Sequence, residues 1–400
     1  MAEAVVVTGI GVISPLNPDG DRERFWASLC AGETGVGQIR SFDASAYPCR
    51  VAAEVDRGAL REAGAEIEPA LNMAEAAFHL ALEHAGTRAH GGDPGRAGVI
   101  VGTVLGGTHR AERYLRAKKT DADEMAKGLD QYPLRAIAAH LARSVGFSGP
   151  VLTVSTACAS GTDAIGIGYR KIASGSADVI VAGGADAICE FSFSGFCALK
   201  VLTPDTVRPF SRNRRGLALG EGAAFLVLER ETTAAHRGAA PLGRIAGYAS
   251  RSDAVHLTAP HREGRGLAAA AVAALRDGEC RPDEIEYVSA HGTGTLYNDW
   301  METKAIRVSL GDHARAVPIS SVKGALGHPF GAAGAMEAAV CLLAIRDGIV
   351  PPTVNFEERD PECDLDYVPN VARRMSVRTA LSISAGFGGQ NAALLIRGVA

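Results

Sequence analysis

The sequence lacks the cysteine patterns that identify most structural metal sites and disulfide frameworks. Its eight cysteines, spread over 400 residues, form no CxxC pair and no cluster with histidine at zinc-ligand spacing. They stand at positions 30, 49, 158, 189, 197, 280, 341 and 363. We interpret them as separate reduced thiols of a cytosolic protein, because disulfides are rare in that compartment.

Long apolar runs and clusters of basic residues are also missing. The N-terminal stretch MAEAVVVTGIGVISPL has no leading positive charge and is interrupted by glycines, which argues against a signal peptide or a membrane anchor. Lysine and arginine are scattered and the formal net charge is -4, so no basic stripe for nucleic acid is visible. We therefore expect a cytoplasmic protein without a membrane or nucleic-acid partner.

Short β-branched runs alternate with longer segments rich in alanine and leucine. In the first part of the chain the candidate strands are AVVVTGI near residue 4, AGVIVGT near 97, VLTVST near 151, DVIVAGG near 178 and AAFLVLE near 223. Strands that alternate with helices of this length indicate a parallel or mixed sheet covered by helices. The chain is thus predicted to be an α/β protein.

The same alternation begins again after about residue 245. Its candidate strands are RIAGYAS, EIEYVSAHG, AVPISSVKG, TALSISAGF and ALLIRG, and its candidate helices are LAAAAVAALRDG and GAMEAAVCLLAIRDG. The second helix has a clear stop signal, with Arg346 in its last turn, Gly348 at its end and Pro351 after it. We expect two duplicated α/β halves, residues 1–240 and 241–400.

One cysteine stands where a predicted strand turns into a predicted helix, in the stretch VSTACASGTDAIG. A thiol at a helix N-terminus meets unpaired N–H groups and the positive end of the helix dipole, so we expect a lowered pKa for Cys158. An arbitrary cysteine is more often a buried structural residue. We interpret Cys158 as a candidate nucleophile only because other candidate site residues occur elsewhere in the sequence.

Two histidines follow predicted strands in glycine-rich turns. His291 stands in EIEYVSAHGTGT, and His328 follows Lys323 in VPISSVKGALGHPFGAAGAMEA. Each histidine alone would more often be a structural or surface residue. Strand ends are where α/β proteins build their sites, and a cysteine with two imidazoles forms a coherent nucleophilic site.

Two further segments carry less specific signals. In SISAGFGGQN the backbone N–H groups around Phe387 are free to face an oxyanion, although a plain turn packed by one phenylalanine explains the segment equally well. Residues 121–146 have helical spacing at Ile137, Leu141 and Val145. Their first part either approaches a dimer contact or an acyl channel or, as we favour, is a solvated loop before a packed helix.

Taken together, these blocks resemble the β-ketoacyl-ACP synthases of the elongating type. The matching blocks, in chain order, are VVVTGIGVISPL, VSTACASGTDAIG, PFSRNRRGLALGEGAAFLVLE, HGTGTLYND, VKGALGHPFGAAGA and AGFGGQN. The resemblance covers essentially the whole chain. It implies the thiolase fold, with five αβαβα layers built from two duplicated halves, and a two-fold dimer.

The resemblance also implies a decarboxylative Claisen condensation. Cys158 would accept an acyl group from an acyl carrier protein, and malonyl-carrier protein would then lose CO2 and attack the acyl-cysteine. His291 and His328 match the histidines that stabilise the enolate. The backbone N–H groups of Cys158 and Phe387 match the oxyanion hole, and the ring of Phe387 matches the gate of the acyl pocket.

Other roles follow from the same resemblance. Lys323 matches a lysine that gives electrostatic support, and we expect it to pair with Glu302. Thr293 and Thr295 match hydroxyls that bind the amides of phosphopantetheine. The resemblance implies no metal and no bound cofactor, because the substrates are carried on the phosphopantetheine of the acyl carrier protein.

Three alternatives are weighed against this prediction. A thiolase needs a second cysteine near its C-terminus, whereas this chain has Gly-Phe-Gly-Gly there and its last cysteine is Cys363. A non-catalytic chain-length factor lacks the active cysteine that Cys158 supplies. A ketosynthase of primary fatty acid elongation stays open as the alternative to a specialised enzyme.

Two departures from the fatty-acid pattern favour a specialised enzyme. Ala385 replaces the first phenylalanine of the usual Phe-Gly-Phe-Gly-Gly block, which leaves room beside the gate and resembles type II polyketide ketosynthases. Arg215 replaces the aspartate of the usual Arg-Asp-Gly block, so the ion pair of that aspartate must be lost or rearranged. We therefore expect either a homodimer or a heterodimer with a ketosynthase-like chain-length factor.

Overall fold

The computed structural model describes residues 3–60, 67–86, 93–116 and 129–399. The strands are β1 (Val5–Ile13), β2 (Val36–Gln38), β3 (Val51–Ala53), β4 (Ala97–Gly102), β5 (Val151–Val154), β6 (Val179–Asp186), β7 (Leu219–Gly220), β8 (Gly222–Arg230), β9 (Gly243–Ser252), β10 (Tyr287–Ser289), β11 (Ile319–Ser320), β12 (Ile349–Val350), β13 (Arg373–Arg374), β14 (Thr379–Gly386) and β15 (Gln390–Arg397). The helices are α1 (Arg22–Ala31), α2 (Pro69–His84), α3 (Thr108–Arg116), α4 (Arg135–Val145), α5 (Ser160–Ala173), α6 (Glu190–Ala198), α7 (Glu231–His236), α8 (Arg265–Asp277), α9 (Leu296–Leu310), α10 (Lys323–Leu326) and α11 (Ala333–Asp347).

The main sheet contains the same five-strand pattern twice. Its ten strands follow the order β11-β10-β14-β15-β9-β1-β8-β6-β4-β5, and the antiparallel pair β1 and β9 joins the two sets. If the strands of each set are counted in chain order, the third strand lies at the edge of the sheet. Across the sheet it is followed by the second, fourth, fifth and first strands. The parallel and antiparallel pairings also match. The division into residues 1–240 and 241–400 stays a prediction.

Helices cover and separate the two sets of strands. Helices α5 and α11 pack against each other and against strands of both sets, so they form the central layer. Helices α2 and α4 cover the first set, and α8 and α9 cover the second. The five αβαβα layers expected of a thiolase fold are therefore confirmed.

The central layer is tightly packed because its helices carry small residues. Every residue of α11 from Ala333 to Ala344 is buried. A Cβ atom added at Gly334 would lie 1.9 Å from the Oγ1 atom of Thr162 in α5, so only glycine lets the two helices approach this closely. This close approach fixes the helix starts that flank the predicted site.

The other sequence predictions for the fold are largely confirmed. All ten candidate strands are present, and α11 ends at Gly348 with the expected left-handed backbone, at φ 61°. Residues 135–145 are helical as predicted, whereas residues 121–128, where we placed a loop, lie outside the described residues. Within the described ranges, no helix has both the length and the apolar character needed to cross a membrane.

Candidate active site

Cys158 lies in a sharp turn between β5 and α5. Ala157 has a left-handed backbone, with φ 50°, which is strained for a residue with a side chain. The Ser160 hydroxyl stabilises the turn, because it accepts a hydrogen bond from the Thr156 N–H at 2.9 Å and donates one to the Ala157 carbonyl at 2.5 Å. The turn places the thiol at the start of α5, as the sequence predicts.

The expected low pKa of the Cys158 thiol is wrong. Burial raises its pKa to about 11, although the nearby Lys323 cation and backbone N–H groups act in the opposite direction. Desolvation of a thiolate outweighs the field of the helix because the site is almost closed to solvent. The resting Cys158 side chain is therefore a neutral thiol, and a base would have to take its proton before the sulfur could act as a nucleophile.

The two predicted oxyanion donors come together at this thiol. The backbone N–H groups of Phe387 and of Cys158 itself both lower the pKa of the Cys158 thiol, so they lie on the side of its sulfur where they favour a negative charge. Gly386 permits the approach, since a Cβ atom there would lie 3.0 Å from the Cys158 nitrogen. Two converging N–H groups beside a nucleophile are the geometry that stabilises a tetrahedral oxyanion.

His291 follows β10 and is held through its backbone. Glu302 of α9 accepts the N–H of His291 at 2.5 Å through one oxygen and the N–H of Gly292 at 2.7 Å through the other. Burial raises the pKa of Glu302 to about 8, while these N–H groups act in the opposite direction. Glu302 thus holds the histidine turn through two backbone N–H groups, a contact that differs from the predicted one with Lys323.

The predicted ion pair between Lys323 and Glu302 is wrong. The Lys323 Nζ atom forms its ion pair with Glu337 of α11, and both side chains are buried. Glu302 already uses both of its oxygens on the backbone of the His291 turn, whereas Glu337 faces Lys323 from the central layer. Burial raises the pKa of Glu337 to about 7, and Lys323 opposes this shift.

Sequence reasoning missed Glu337, although a signal was present. It is the only charged residue in the stretch AGAMEAAVCLLAI. A carboxylate in an otherwise apolar, buried helix is very costly unless a cation or several donors pair with it. That requirement alone would have marked Glu337 as a partner for a buried cation.

Lys323 also determines which nitrogen of His291 carries the proton. The Lys323 Nζ atom lies 3.3 Å from His291 Nδ1, and because an ammonium only donates, Nδ1 accepts. Burial, together with the Lys323 charge, holds the pKa of both His291 and His328 well below the usual range. His291 is therefore a neutral imidazole that presents its Nε2–H away from the lysine.

His328 stands beside this imidazole without a fixed partner. The two rings meet edge to face with their centroids 5.2 Å apart. Both nitrogens of His328 are buried, and neither has a hydrogen-bond partner in the part of the chain that the structure describes. An unsatisfied buried imidazole of this kind is available to a substrate, as acceptor or donor.

The thiol and the imidazoles open into one cavity of about 260 Å³. Thr293 and Thr295 lie on its wall with their hydroxyl oxygens 2.9 Å apart. Ala385 also lines it, and the ring of Phe387 stacks on Phe196 at 5.7 Å. The remaining lining residues are Leu199, Val201, Leu217, Asp253, Thr258, Ala259, Pro260, Tyr297, Asn298, Gly386 and Asn391.

A buried arginine holds the wall that carries the two threonines. Arg214 pairs with Asp360 at 2.5 Å and with Asp299 at 3.7 Å, and Asp299 accepts the N–H of Gly294 at 3.2 Å. Arg215, the residue that departs from the family pattern, is 60% exposed and lies 3.8 Å from Asp205. The Arg215 charge is therefore solvated, and the side chain forms a surface ion pair with Asp205.

The three reactive side chains are also close enough to be considered as metal ligands. One donor atom from each of Cys158, His291 and His328 lies within 4.8 Å of the others, the one such buried triad among residues 3–60, 67–86, 93–116 and 129–399. Thiolate and imidazole suit zinc. The Lys323 cation, 3.3 Å from His291, opposes a divalent ion at this position.

Comparisons with known proteins agree with this geometry. Residues 2–234 match the family described as "Beta-ketoacyl synthase, N-terminal domain", and residues 242–357 match "Beta-ketoacyl synthase, C-terminal domain". The chain is 41% identical to the tetracenomycin polyketide synthase ketoacyl synthase alpha subunit of Streptomyces glaucescens, over 98% of this chain and 97% of that one. It is 38% identical to nodulation protein E of Rhizobium meliloti, over the full length of both.

Solved structures of ketosynthases also resemble this chain over its full length. The ishigamide ketosynthase/chain length factor matches with a TM-score of 0.91 and 36% identity, over 100% of both chains. A type II polyketide synthase acyl-carrier protein in complex with its ketosynthase bound to the hexaketide matches with a TM-score of 0.92 and 32% identity, again over 100% of both chains.

Proposed function

The chain belongs to the β-ketoacyl synthase family, and from this membership we propose that it is the ketosynthase of a type II polyketide pathway. It is an acyltransferase that condenses malonyl-carrier protein with an acyl chain bound to Cys158. The observation that carries this proposal is the meeting of a buried thiol with two neutral imidazoles in one cavity. The similar polyketide ketosynthase subunits, about 40% identical over nearly the whole chain, support the pathway.

In the first half-reaction the Cys158 sulfur attacks the thioester carbonyl of the acyl carrier. A free nitrogen of His328 accepts the thiol proton, since the raised pKa of Cys158 requires a base. The backbone N–H groups of Cys158 and Phe387 stabilise the oxyanion. The pantetheine sulfur leaves and takes the proton from His328, which becomes neutral again.

In the second half-reaction malonyl-carrier protein loses CO2 in the same cavity. The electrons of the broken C–C bond move to the thioester oxygen, which receives hydrogen bonds from His291 Nε2–H and from an N–H of His328. Neutral donors fixed in a dry site stabilise this enolate better than mobile water. The enolate carbon then attacks the acyl carbonyl on Cys158, and the cysteine sulfur leaves as a thiolate that takes up one proton from solvent to restore the neutral thiol.

The substrates reach these groups on a phosphopantetheine arm. The hydroxyls of Thr293 and Thr295 lie on the cavity wall, where they are positioned to bind the amides of the arm. Because the acyl groups arrive and leave on the carrier protein, the reaction requires no resident cofactor. We place the enzyme in the cytoplasm, where carrier proteins and reduced thiols are found.

A partner chain completes the proposed enzyme. Two similar structures contain a ketosynthase together with a chain length factor, at 36% and 29% identity to this chain. We propose a heterodimer with such a catalytically inactive homologue, with a homodimer as the alternative. This chain is the active member because it retains Cys158, His291, Lys323 and His328.

Co-expression tests the proposal. The chain is produced alone and with a candidate chain-length factor, each is supplied with carrier protein and malonyl groups, and carrier-bound products are identified by mass spectrometry. We expect poly-β-keto chains only from the pair. Equally efficient elongation of ordinary saturated acyl carriers by the lone chain would instead establish primary fatty acid elongation.

A further inference from the structure

Asp186 ends β6 and is completely buried. Burial raises the pKa of its carboxyl to about 6, while the surrounding hydrogen-bond donors act in the opposite direction. At neutral pH the side chain is therefore an ionised carboxylate inside the protein, which is costly unless hydrogen bonds satisfy both oxygens. The donors that satisfy it show which parts of the chain this carboxylate holds in place.

Two loops donate hydrogen bonds to the Asp186 carboxylate. The loop after β4 supplies three of the donors, which are the Thr103 hydroxyl at 2.8 Å, the Val104 N–H at 2.9 Å and the Leu105 N–H at 2.8 Å. Residues 328–331, here called the His328 loop, supply the fourth, the Gly331 N–H at 2.7 Å. One side chain of the first half thus fixes a loop of the second half.

The contact at Gly331 lies against the start of α5, the helix that follows Cys158. A Cβ atom added at Gly331 would lie 2.7 Å from the Asp186 Oδ2 atom. A Cβ atom added at Gly161, in the first turn of α5, would lie 2.6 Å from the Gly331 carbonyl oxygen. The His328 loop is therefore packed both on Asp186 and on the nucleophile helix, so its position sets that of His328 relative to Cys158.

The His328 loop is strained and is held at both ends. Phe330 has a left-handed backbone, with φ 46°, which is costly for a bulky residue and persists only where the surroundings hold it. At the first end, the His328 N–H donates to the Ala218 carbonyl at 2.8 Å, and the His328 carbonyl accepts the Gly220 N–H at 2.9 Å. The Phe330 and His328 rings stack with their centroids 6.1 Å apart. Release at Gly331 would therefore let both rings move.

We propose that Asp186 is a positioning residue that holds His328 in place through the N–H of Gly331. Among the described residues the His328 ring has no hydrogen-bond partner of its own, so its position depends on the backbone that carries it. Each imidazole then has its own buried carboxylate, since Glu302 holds the turn of His291 in the same way. Glu302 belongs to the same half as its histidine, whereas Asp186 comes from the opposite half and so aligns the two halves.

The variant Asp186→Asn breaks the contact with Gly331 selectively. An amide keeps one acceptor oxygen, and its NH2 group must face one of the donors. With the oxygen at the Oδ1 position, it still accepts the Thr103 hydroxyl and the N–H groups of Val104 and Leu105, which lie 2.8, 3.2 and 2.8 Å from that atom. The NH2 group then meets the Gly331 N–H, and two donors facing each other form no hydrogen bond.

Histidine NMR tests the position of His328 without any turnover. The protein is labelled with ¹⁵N-histidine, and the ring signals of His328 and His291 are assigned with the two alanine variants. We expect Asp186→Asn to shift the His328 signals, with a smaller change for His291. Glu229→Gln alters another buried carboxylate of the first half, one that pairs with Arg237, and should shift neither ring.

Unchanged His328 signals in folded Asp186→Asn would overturn the proposal. If that variant does not fold, Asp186→Ser takes its place, because water can occupy the space that the shorter side chain leaves. The serine variant also removes the acceptor of the Gly331 N–H, so the same shift of the His328 signals is expected and its absence counts equally against the proposal.

Acylation rates separate positioning from a general loss of structure, and this part rests on the proposed function, in which His328 is the base. Acylation of Cys158 is followed by mass spectrometry in wild type, Asp186→Asn, His328→Ala and the double variant. We expect Asp186→Asn to be about tenfold slower than wild type. In the His328→Ala background the same change should slow acylation by less than about twofold, because the base that it positions is already missing.

Equal slowing by Asp186→Asn in both backgrounds would contradict the positioning role, since the effect would then not pass through His328. Absence of an acyl adduct on wild-type Cys158 would instead refute the proposed function. The NMR comparison would still decide whether Asp186 places the imidazole, so the two failures are distinguishable.

Discussion

The two halves of the molecule share one strand order but contribute different chemistry. In the first half, the edge strand β5 leads into Cys158 and then into α5; in the second, the edge strand β11 leads to Lys323 and His328 and then into α11. His291 follows β10, the neighbour of β11 in the sheet. The duplicated fold thus brings a nucleophile from one half to the imidazoles of the other, and each half alone is chemically incomplete.

Burial shifts the pKa of the thiol and of the two imidazoles in opposite directions and leaves all three side chains uncharged. It raises the pKa of the Cys158 thiol and lowers the pKa of His291 and His328, because each charged form is poorly solvated. The buried ion pair of Lys323 and Glu337 lies behind the imidazoles. The resting site is therefore neutral at the points where charge develops during the reaction, which strengthens every hydrogen bond to that charge.

Removing the nucleophile of the first half should have the largest effect. Cys158→Ala is expected to lower condensation at least about 10⁴-fold, because no acyl-enzyme can form. Intact-protein mass spectrometry checks the acyl adduct. Cys30→Ser, which changes a half-buried thiol outside the cavity, is the matched control and should form the adduct normally. An acyl adduct on the Cys158→Ala protein would show that the nucleophile is misassigned.

Removing either imidazole of the second half should impair the other half-reaction. His291→Ala and His328→Ala are each expected to slow CO2 release from malonyl-carrier protein by about 10²–10³-fold, since one donor to the enolate is lost. Acylation of Cys158 should stay largely intact in His291→Ala but slow markedly in His328→Ala, because His328 is the proposed base. Labelled CO2 and the acyl adduct are measured together. The exposed His236→Ala is the control.

Breaking the support of His291 should give a smaller effect with a pH signature. Lys323→Met removes a hydrogen bond to Nδ1 and is expected to slow decarboxylation about tenfold to hundredfold. The Lys323 charge lowers the pKa of His291, so its loss raises that pKa. Because the neutral imidazole is the active form, the acidic limb of the pH–rate profile should move to higher pH.

A second variant separates this effect from a simple loss of stability. Lys323→Met leaves Glu337 buried without its cation, a costly arrangement, whereas the double variant Lys323→Met/Glu337→Gln removes both charges. The double variant should regain thermal stability but keep the shifted pH profile. An unshifted profile in both proteins would contradict the proposed role of Lys323.

Filling the space beside the gate should give the smallest effect. Ala385→Phe places a ring against the cavity, and we expect kcat/KM for long acyl chains to fall about tenfold while short chains are little affected. Ala385→Ser is the small control. Equal losses for short and long chains would show that Ala385 does not influence the length of the bound chain.

The sequence predicted the reactive groups better than their surroundings. Cys158, His291 and His328 were identified because each follows a predicted strand in a distinctive turn, and local sequence determines such turns. The partner of Lys323 was misassigned because the packing of α11 against α10 decides which carboxylate reaches the ammonium. No local pattern encodes that choice, apart from the isolated charge of Glu337 in an apolar helix.

The sequence alone also could not predict pKa shifts and contacts that depend on burial in the folded chain. The helix start at Cys158 correctly suggested a field that favours a thiolate, but the closed cavity reverses the pKa shift. Arg214 and Asp360 come together only through the packing of the assembled fold, and they are 146 positions apart in the sequence (360 minus 214). Contacts of this range depend on the assembled fold.

The most direct test of the account measures both half-reactions side by side in three proteins. Wild type, Cys158→Ala and His291→Ala are mixed in turn with acyl-carrier and malonyl-carrier protein, and acyl-enzyme and CO2 are quantified after rapid quenching. The account predicts a crossed result, in which Cys158→Ala loses acylation but still releases CO2, and His291→Ala keeps acylation but releases little CO2. Parallel loss of both half-reactions in both variants would contradict the division of chemistry between the two halves.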